Sequence, residues 1–112
     1  MLKIRNYING ELVAPISGNY IDNINPAIGK VYSLIPDSDE NDVQLATQAA
    51  LAAFPEWSKT PKEKRSRILQ KIAFLIEENL EKLAEAESID NGKPLKLART
   101  VDIPRAASNF NF

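Results

Sequence analysis

The sequence predicts an α+β segment, with short strands and turns in residues 1–37 followed by about four helices in residues 38–112. Turn dipeptides interrupt the first third of the chain too often for helices to form there: Asn9-Gly10, Ser17-Gly18 and Asn25-Pro26. After residue 37 the apolar residues recur with helical spacing instead. Because this change of period occurs once, we expect the strands to precede the helices, and we expect the strands to pair antiparallel.

The strand region contains three or four candidate strands. A β-rich stretch, residues 4–8, leads into Asn9-Gly10, a strong signal for a two-residue hairpin turn because both positions tolerate positive φ. The returning strand ends before Pro15, which has no N–H to donate to a sheet. Residues 20–25 and 30–36 read as two further strands, and the second carries apolar side chains on both faces.

The first helix has clear end signals. Ser38 or Asp39 can cap its N-terminus, and Glu40 and Asp42 place negative charge in the first turn, where the helix dipole favours it. We expect Pro55 to end this helix because proline removes a backbone donor. Its apolar face is formed by Val43, Ala46, Ala50, Ala53 and Phe54.

The later helices are delimited by proline, asparagine and glycine. Residues 60–63, Thr-Pro-Lys-Glu, predict a capping box with proline at the first helical position. Asn79 is a candidate end for that helix, and Gly92 suits the positive φ that closes the next one. Pro94 opens the last helix, and Pro104 is expected to kink or break it.

Composition narrows the chemistry available to the chain. With 112 residues it is one domain or a piece of one, and its net charge of −1 gives no general attraction to nucleic acid or membranes. It has no Cys and no His, which removes thiolate nucleophiles and imidazole acid–base catalysis. The first ten residues lack a signal-peptide pattern, and no apolar run approaches a membrane span. We therefore expect a cytoplasmic protein.

Several segments occur together in an order typical of one family. YINGELV, NPAIGKVYSLIPDS, DVQLATQAALAAFPEW, KRSRILQKIAFLIEEN, ESIDNGKPLKLA and TVDIPRA resemble the N-terminal part of the NAD(P)-dependent aldehyde dehydrogenase superfamily. Within it, DNINPAIGKVYSLIPDS and DIPRAASNFNF are most similar to the 2-aminomuconic and 2-hydroxymuconic semialdehyde dehydrogenases. Each motif alone is weak, but their ordered combination is specific.

The resemblance implies that the chain is a piece of a larger Rossmann-like α/β enzyme. Residues 1–112 would be the N-terminal part of a cofactor-binding domain, with the catalytic domain, its Cys and Glu, and most of the NAD or NADP site in the remainder of the parent chain. The parent would oxidise an aldehyde, in this group a carboxylate-bearing semialdehyde, to the acid, and it would form homo-oligomers. The chain alone is expected to be inactive because it lacks the nucleophile.

The resemblance also implies roles for four residues. Asp102, with the backbone carbonyls of Asn23 and Ile24, would hold a monovalent cation, a ligand set suited to a hard ion of low charge. Arg105 would bind the distal carboxylate of the substrate, because a guanidinium offers two parallel donors. Without the resemblance, Asp102 reads as an exposed helix residue, and Arg105 reads as a surface residue or as its ion-pair partner. The muconic semialdehyde dehydrogenases usually carry an Arg where this chain has Asn111, so this chain lacks one cationic side chain that could attract an acidic substrate.

Two alternative interpretations remain at this point. The chain could be a standalone helical module that binds a protein partner through the apolar end of its last helix, around Phe110 and Phe112. If it is a piece of a larger enzyme, those two side chains should lack a closed interior. The basic cluster could suggest nucleic-acid binding, but a solvated helix face explains it better. Its residues are Lys59, Lys62, Lys64, Arg65 and Arg67.

Overall fold

The computed structural model describes all residues 1–112 and confirms an α+β segment in which the strands precede the helices. The strands are β1 (Leu2–Lys3), β2 (Asn6–Ile8), β3 (Glu11–Val13), β4 (Tyr20–Asn25) and β5 (Lys30–Pro36). The helices are α1 (Glu40–Ser58), α2 (Lys62–Glu78), α3 (Leu80–Asn91), α4 (Leu95–Leu97), a π-helical turn (Ala98–Asp102) and α5 (Ile103–Asn111).

The chain divides into two compact units. The strand unit comprises Met1–Ile24 and Gly29–Lys59, so it contains the hairpin and α1. The helical unit comprises Thr60–Phe112 together with Asn25–Ile28, the turn that follows β4. No helix in the structure has the length and apolar character that crossing a membrane would require.

The strand unit contains two small sheets. In one, β5 lies between β1 and β4, and β1 runs parallel to β5, with Leu2 opposite Ser33. The expectation of antiparallel pairing is wrong for β1 and β5. The long stretch of chain between these strands permits a parallel arrangement, which a tight turn cannot produce.

The hairpin predicted around Asn9-Gly10 is confirmed. β2 and β3 pair antiparallel, with Tyr7 opposite Leu12, and both turn residues have positive φ, 52° at Asn9 and 81° at Gly10. This is the conformation that a two-residue hairpin loop requires, and asparagine and glycine reach it at low cost.

Helix α1 begins as predicted but ends later. The Asp39 side chain accepts a hydrogen bond from the Asn41 N–H, and the Asp42 side chain accepts one from the Asp39 N–H, which completes a capping box. The prediction that Pro55 ends the helix is wrong, because α1 continues to Ser58. Proline removes its own N–H bond from the helix, and the Ser58 hydroxyl donates to the Pro55 carbonyl at 3.0 Å in the last turn.

The start of α2 corrects a second prediction. Pro61 has a ψ of 144°, so it is the cap residue rather than the first helical residue, and α2 begins at Lys62 without a side-chain cap from Pro61. The prediction that proline occupies the first helical position is therefore wrong. The other end signals are confirmed: Asn79 ends α2, and Gly92 ends α3 with a φ of 80°.

The interruption predicted at Pro104 takes the form of a π-helical turn. The Ile103 N–H donates to the Ala98 carbonyl, five residues earlier, and the helical path then continues as α5. A wider turn just before a proline accommodates the missing N–H and the bulk of its ring. The helical path is thus interrupted in its hydrogen bonding but not ended.

In the strand unit the buried apolar residue is Pro15. The helical unit buries four apolar residues, all of them alanines: Ala73, Ala84, Ala98 and Ala107. They allow α2 to pack on α5 and α3 to pack on the π-helical turn. Large apolar side chains remain exposed, including Phe110 at 42% and Phe112, which is fully exposed. The prediction that the aromatic end lacks a closed interior is confirmed.

Candidate functional site

A polar cluster lies where α3 ends and the last helical path begins. Gly92 adopts the left-handed conformation, and a Cβ added there would approach Pro26 Cγ to 2.9 Å, so only glycine fits. The next residue, Lys93, is surrounded by polar side chains of the helical unit. We call this group the Lys93 cluster: Glu87, Ser88, Asn91, Lys93 and Asp102.

The Lys93 ammonium forms the central interaction of this cluster. Its Nζ lies 2.7 Å from Asp102 Oδ2 and 3.7 Å from Glu87 Oε1. The hydrogen bond with Asp102 is the main cause that raises the pKa of Lys93, and the charges of Asp102 and Glu87 add to it. Asp102 Oδ2 is shielded from solvent. The carboxylate that the resemblance predicts to hold a cation already has a protein cation, the Lys93 ammonium, beside it.

Arg105 follows Asp102 by one helical turn, at the start of α5. Its side chain is exposed, and none of the ion pairs in the structure includes it. The interpretation of Arg105 as the partner of Asp102 is wrong, because Lys93 takes that place. An exposed guanidinium without a protein carboxylate can bind an anionic ligand.

Asn23 and Ile24 lie on β4 in the strand unit. The Asn23 side-chain amide donates to the Tyr32 hydroxyl at 2.9 Å and to the buried Ser33 hydroxyl at 3.1 Å, which fixes the backbone of β4 locally. Ile24 is half-exposed. The cation site that combines their carbonyls with Asp102 stays a prediction, as does the substrate contact of Arg105. The structure contains no group of three or more Asp or Glu side chains that could hold a metal ion.

The sequence reasoning missed two residues of structural weight. The sequence patterns gave no role to Lys93, although a lysine placed directly after a glycine helix cap was a usable signal. Asp42 was assigned only to the helix dipole. It is 4% exposed, and its Oδ1 accepts a hydrogen bond from the Ile16 N–H at 2.9 Å.

Asp42 holds the start of α1 against the segment after β3. Backbone N–H groups of Asp39 and Ile16 donate to its carboxylate, and these two bonds hold the pKa of Asp42 below its ordinary value. A mainly apolar groove of about 500 Å³ lies beside it in the strand unit. Its lining includes Ile8, Val13, Ile16, Asp42, Leu45 and Ala49.

Solved structures that superpose on this chain include aldehyde dehydrogenases. PnpE from Pseudomonas sp. WBC-3 superposes with a TM-score of 0.95 at 38% identity, over 98% of this chain and 23% of that one. The structure of a putative aldehyde dehydrogenase from Burkholderia cenocepacia gives a TM-score of 0.95 at 39% identity, over 99% of this chain and 23% of that one. A PnpE structure in complex with nicotinamide adenine dinucleotide gives 0.94 at 39% identity, over 96% and 22%. The chain therefore has the fold of a segment of these enzymes.

Sequence comparisons agree with the fold. The chain is 46% identical to 2-aminomuconic semialdehyde dehydrogenase from Bos taurus over all 112 residues, and 47% identical to a long-chain-aldehyde dehydrogenase from Acinetobacter sp over 107 residues, 96% of the chain. Residues 13–112 match the aldehyde dehydrogenase family. The chain belongs to that family. It spans 23% of the length of the bovine relative and 21% of the Acinetobacter one.

Proposed function

We propose that this chain is part of an NAD(P)-dependent aldehyde dehydrogenase that oxidises a carboxylate-bearing semialdehyde to the corresponding acid. The observation that carries the proposal is the 46% identity to 2-aminomuconic semialdehyde dehydrogenases of Bos taurus and Homo sapiens across the whole chain. The chain contains no Cys and no His, so the reacting groups would come from the remainder of the parent protein. NAD or NADP, bound mainly outside this segment, would accept the hydride.

Within this proposal, Arg105 binds the distal carboxylate of the substrate. Its support is the exposed guanidinium at the start of α5, which has no protein carboxylate to neutralise it. A carboxylate that binds there would be oriented by two parallel N–H donors. The role of Arg105 is therefore to select and orient an acidic aldehyde, while the chemistry occurs elsewhere.

A monovalent cation bound by Asp102 and the carbonyls of Asn23 and Ile24 is the second part of the proposal. Its support is the kind of donor, since a carboxylate and backbone carbonyls offer the oxygen ligands that a hard cation of low charge prefers. Its role would be structural. The cytoplasmic location, the assignment to a cofactor-binding domain and the homo-oligomeric parent stay predictions.

The proposal can be tested by a graft and one substitution. Residues 1–112 replace the matching segment of the bovine relative, and NADH formation is measured with a carboxylate-bearing aldehyde and with a neutral aldehyde. We expect the graft to be active. Arg105→Gln should raise KM for the acidic aldehyde alone, by about 10- to 100-fold, because the variant loses hydrogen bonds to a charged group.

Two controls accompany this test. Lys96→Gln removes another basic side chain of the same helical path, one that is exposed and forms none of the ion pairs, and should leave the preference between the two aldehydes unchanged. The isolated chain should give no NADH above background. An inactive graft, turnover by the isolated chain, or equal effects of Arg105→Gln on both aldehydes would contradict the proposal.

A further inference from the structure

We propose that Lys93 is a positioning residue for Arg105: its ion pair with Asp102 holds the π-helical turn and thereby fixes the direction in which Arg105 points. The inference rests on the proposed function, because it assumes that Arg105 binds the substrate carboxylate. It assigns a specificity-determining role to a residue that does not itself contact the substrate.

Two hydrogen bonds hold the backbone of Lys93. Its N–H donates to Asn91 Oδ1 at 2.9 Å, and its carbonyl accepts a hydrogen bond from the Ser88 hydroxyl at 2.7 Å. The left-handed Gly92 before it is confined by Pro26. The backbone of Lys93 is therefore held on both sides, so its side chain extends from a defined position toward Asp102.

The position of Asp102 in the helical path connects the ion pair to Arg105. Asp102 is the last residue of the π-helical turn, and α5 begins at the next residue. A π-helical turn holds one residue more than an α-helical turn, and each residue of an α-helix turns the chain by about 100°. If the turn relaxed to α-helical hydrogen bonding, α5 would rotate by about that angle about its axis, and Arg105 would point elsewhere.

The π-helical turn needs side-chain contacts that stabilise it. π-Helical turns are rare, and two other side-chain contacts support this one: the Thr100 hydroxyl donates to the Lys96 carbonyl at 2.7 Å, and Arg99 pairs with Glu81 of α3 at 2.6 Å. The ion pair at Asp102 fixes the far end of the turn. Its side chains are only 28% and 30% exposed, so solvent screens the attraction less than it would at an open surface.

The experiment compares Lys93→Met with Lys93→Arg in the grafted enzyme described above. Lys93→Met should raise KM for the acidic aldehyde about tenfold, the lower end of the losses seen when an outer positioning partner is removed. Kinetics with the neutral aldehyde should stay unchanged, and Lys93→Arg should recover most of the loss. Lys96→Met is the matched control, because Lys96 is an exposed lysine of the same path and forms none of the ion pairs.

Hydrogen exchange at residues 98–105 provides a readout that does not depend on activity. Lys93→Met should accelerate exchange there relative to Lys96→Met, and Lys93→Gln serves in the same way if the methionine variant does not fold. The inference is overturned if Lys93→Met leaves hydrogen exchange at residues 98–105 unchanged, or if it raises KM equally for both aldehydes. If Arg105→Gln is selective while Lys93→Met is not, the positioning role alone fails. If Arg105→Gln is not selective, the proposed function itself fails.

Discussion

The two units of the chain bury different kinds of residues. The helical unit buries four alanines, which let its helices approach one another closely. The strand unit buries one apolar residue, Pro15. Its fully buried Ser33 and nearly buried Asp42 are polar, and both are hydrogen-bonded, Ser33 by the Asn23 amide and Asp42 by two backbone N–H groups.

This difference indicates two ways of specifying local structure. In the helical unit, small side chains at the contacts define how near the helices come, so added volume should be the most damaging change. In the strand unit, directed hydrogen bonds hold segments that are distant in sequence, so loss of an acceptor should matter more than volume. Three substitutions test this contrast on the 112-residue chain.

The largest effect is expected from Ala84→Leu in α3. Ala84 is fully buried, and a leucine there must push neighbouring helices apart, at a cost of about 3 kcal/mol in the free energy of unfolding. Ala86→Leu, at an exposed position of the same helix, should change it little. Denaturant unfolding followed by circular dichroism measures both, and equal effects would show that α3 is not closely packed.

Gly92→Ala should have the next largest effect. It places a Cβ at a residue with a φ of 80° and within 2.9 Å of Pro26 Cγ, and the left-handed conformation alone costs about 2 kcal/mol for a residue with a side chain. Gly10→Ala is the matched control, because Gly10 has a φ of 81° and open space around it. A difference in unfolding free energy between the two variants isolates the contact with Pro26, and identical losses would dismiss it.

The smallest effect is expected from Asp42→Asn, and it should depend on pH. Because the pKa of Asp42 is held below its ordinary 3.8, its carboxylate stabilises the fold above that pH and loses this contribution as pH falls through the lowered pKa. The variant should be less stable near neutral pH and should approach the parent chain in acid. Unfolding midpoints across acidic pH measure this, with Glu40→Gln, an exposed neighbour, as the control. A constant difference across pH would contradict the assignment.

Local signals were sufficient for much of the fold. Asn9-Gly10 and Gly92 predicted their turns because positive φ is a property of one or two residues, and Asp39 predicted its helix start for a similar reason. The parallel pairing of β1 with β5 could not be read from the sequence, because it joins segments about 30 residues apart and no local pattern encodes a register.

The candidate site shows the same limit. The resemblance pointed to Asp102 and Arg105, but the partner of Asp102 is Lys93, nine positions earlier and on the far side of a helix interruption. Helical spacing favoured Arg105 instead, and the π-helical turn changes which residues share a face. Asp42 was placed correctly in the first turn of α1, while its bond to Ile16 depends on tertiary structure.

The turn Asn25–Ile28 belongs to the helical unit although it is flanked in sequence by strand-unit residues. No single cut of the polypeptide can therefore separate the two units intact. A chain starting at Thr60 would lack the proline that confines Gly92, and a chain ending at Lys59 would retain a loop without its neighbours. A piece of this molecule that is expressed as the helical unit alone must therefore include the loop Asn25–Ile28 or a replacement for it.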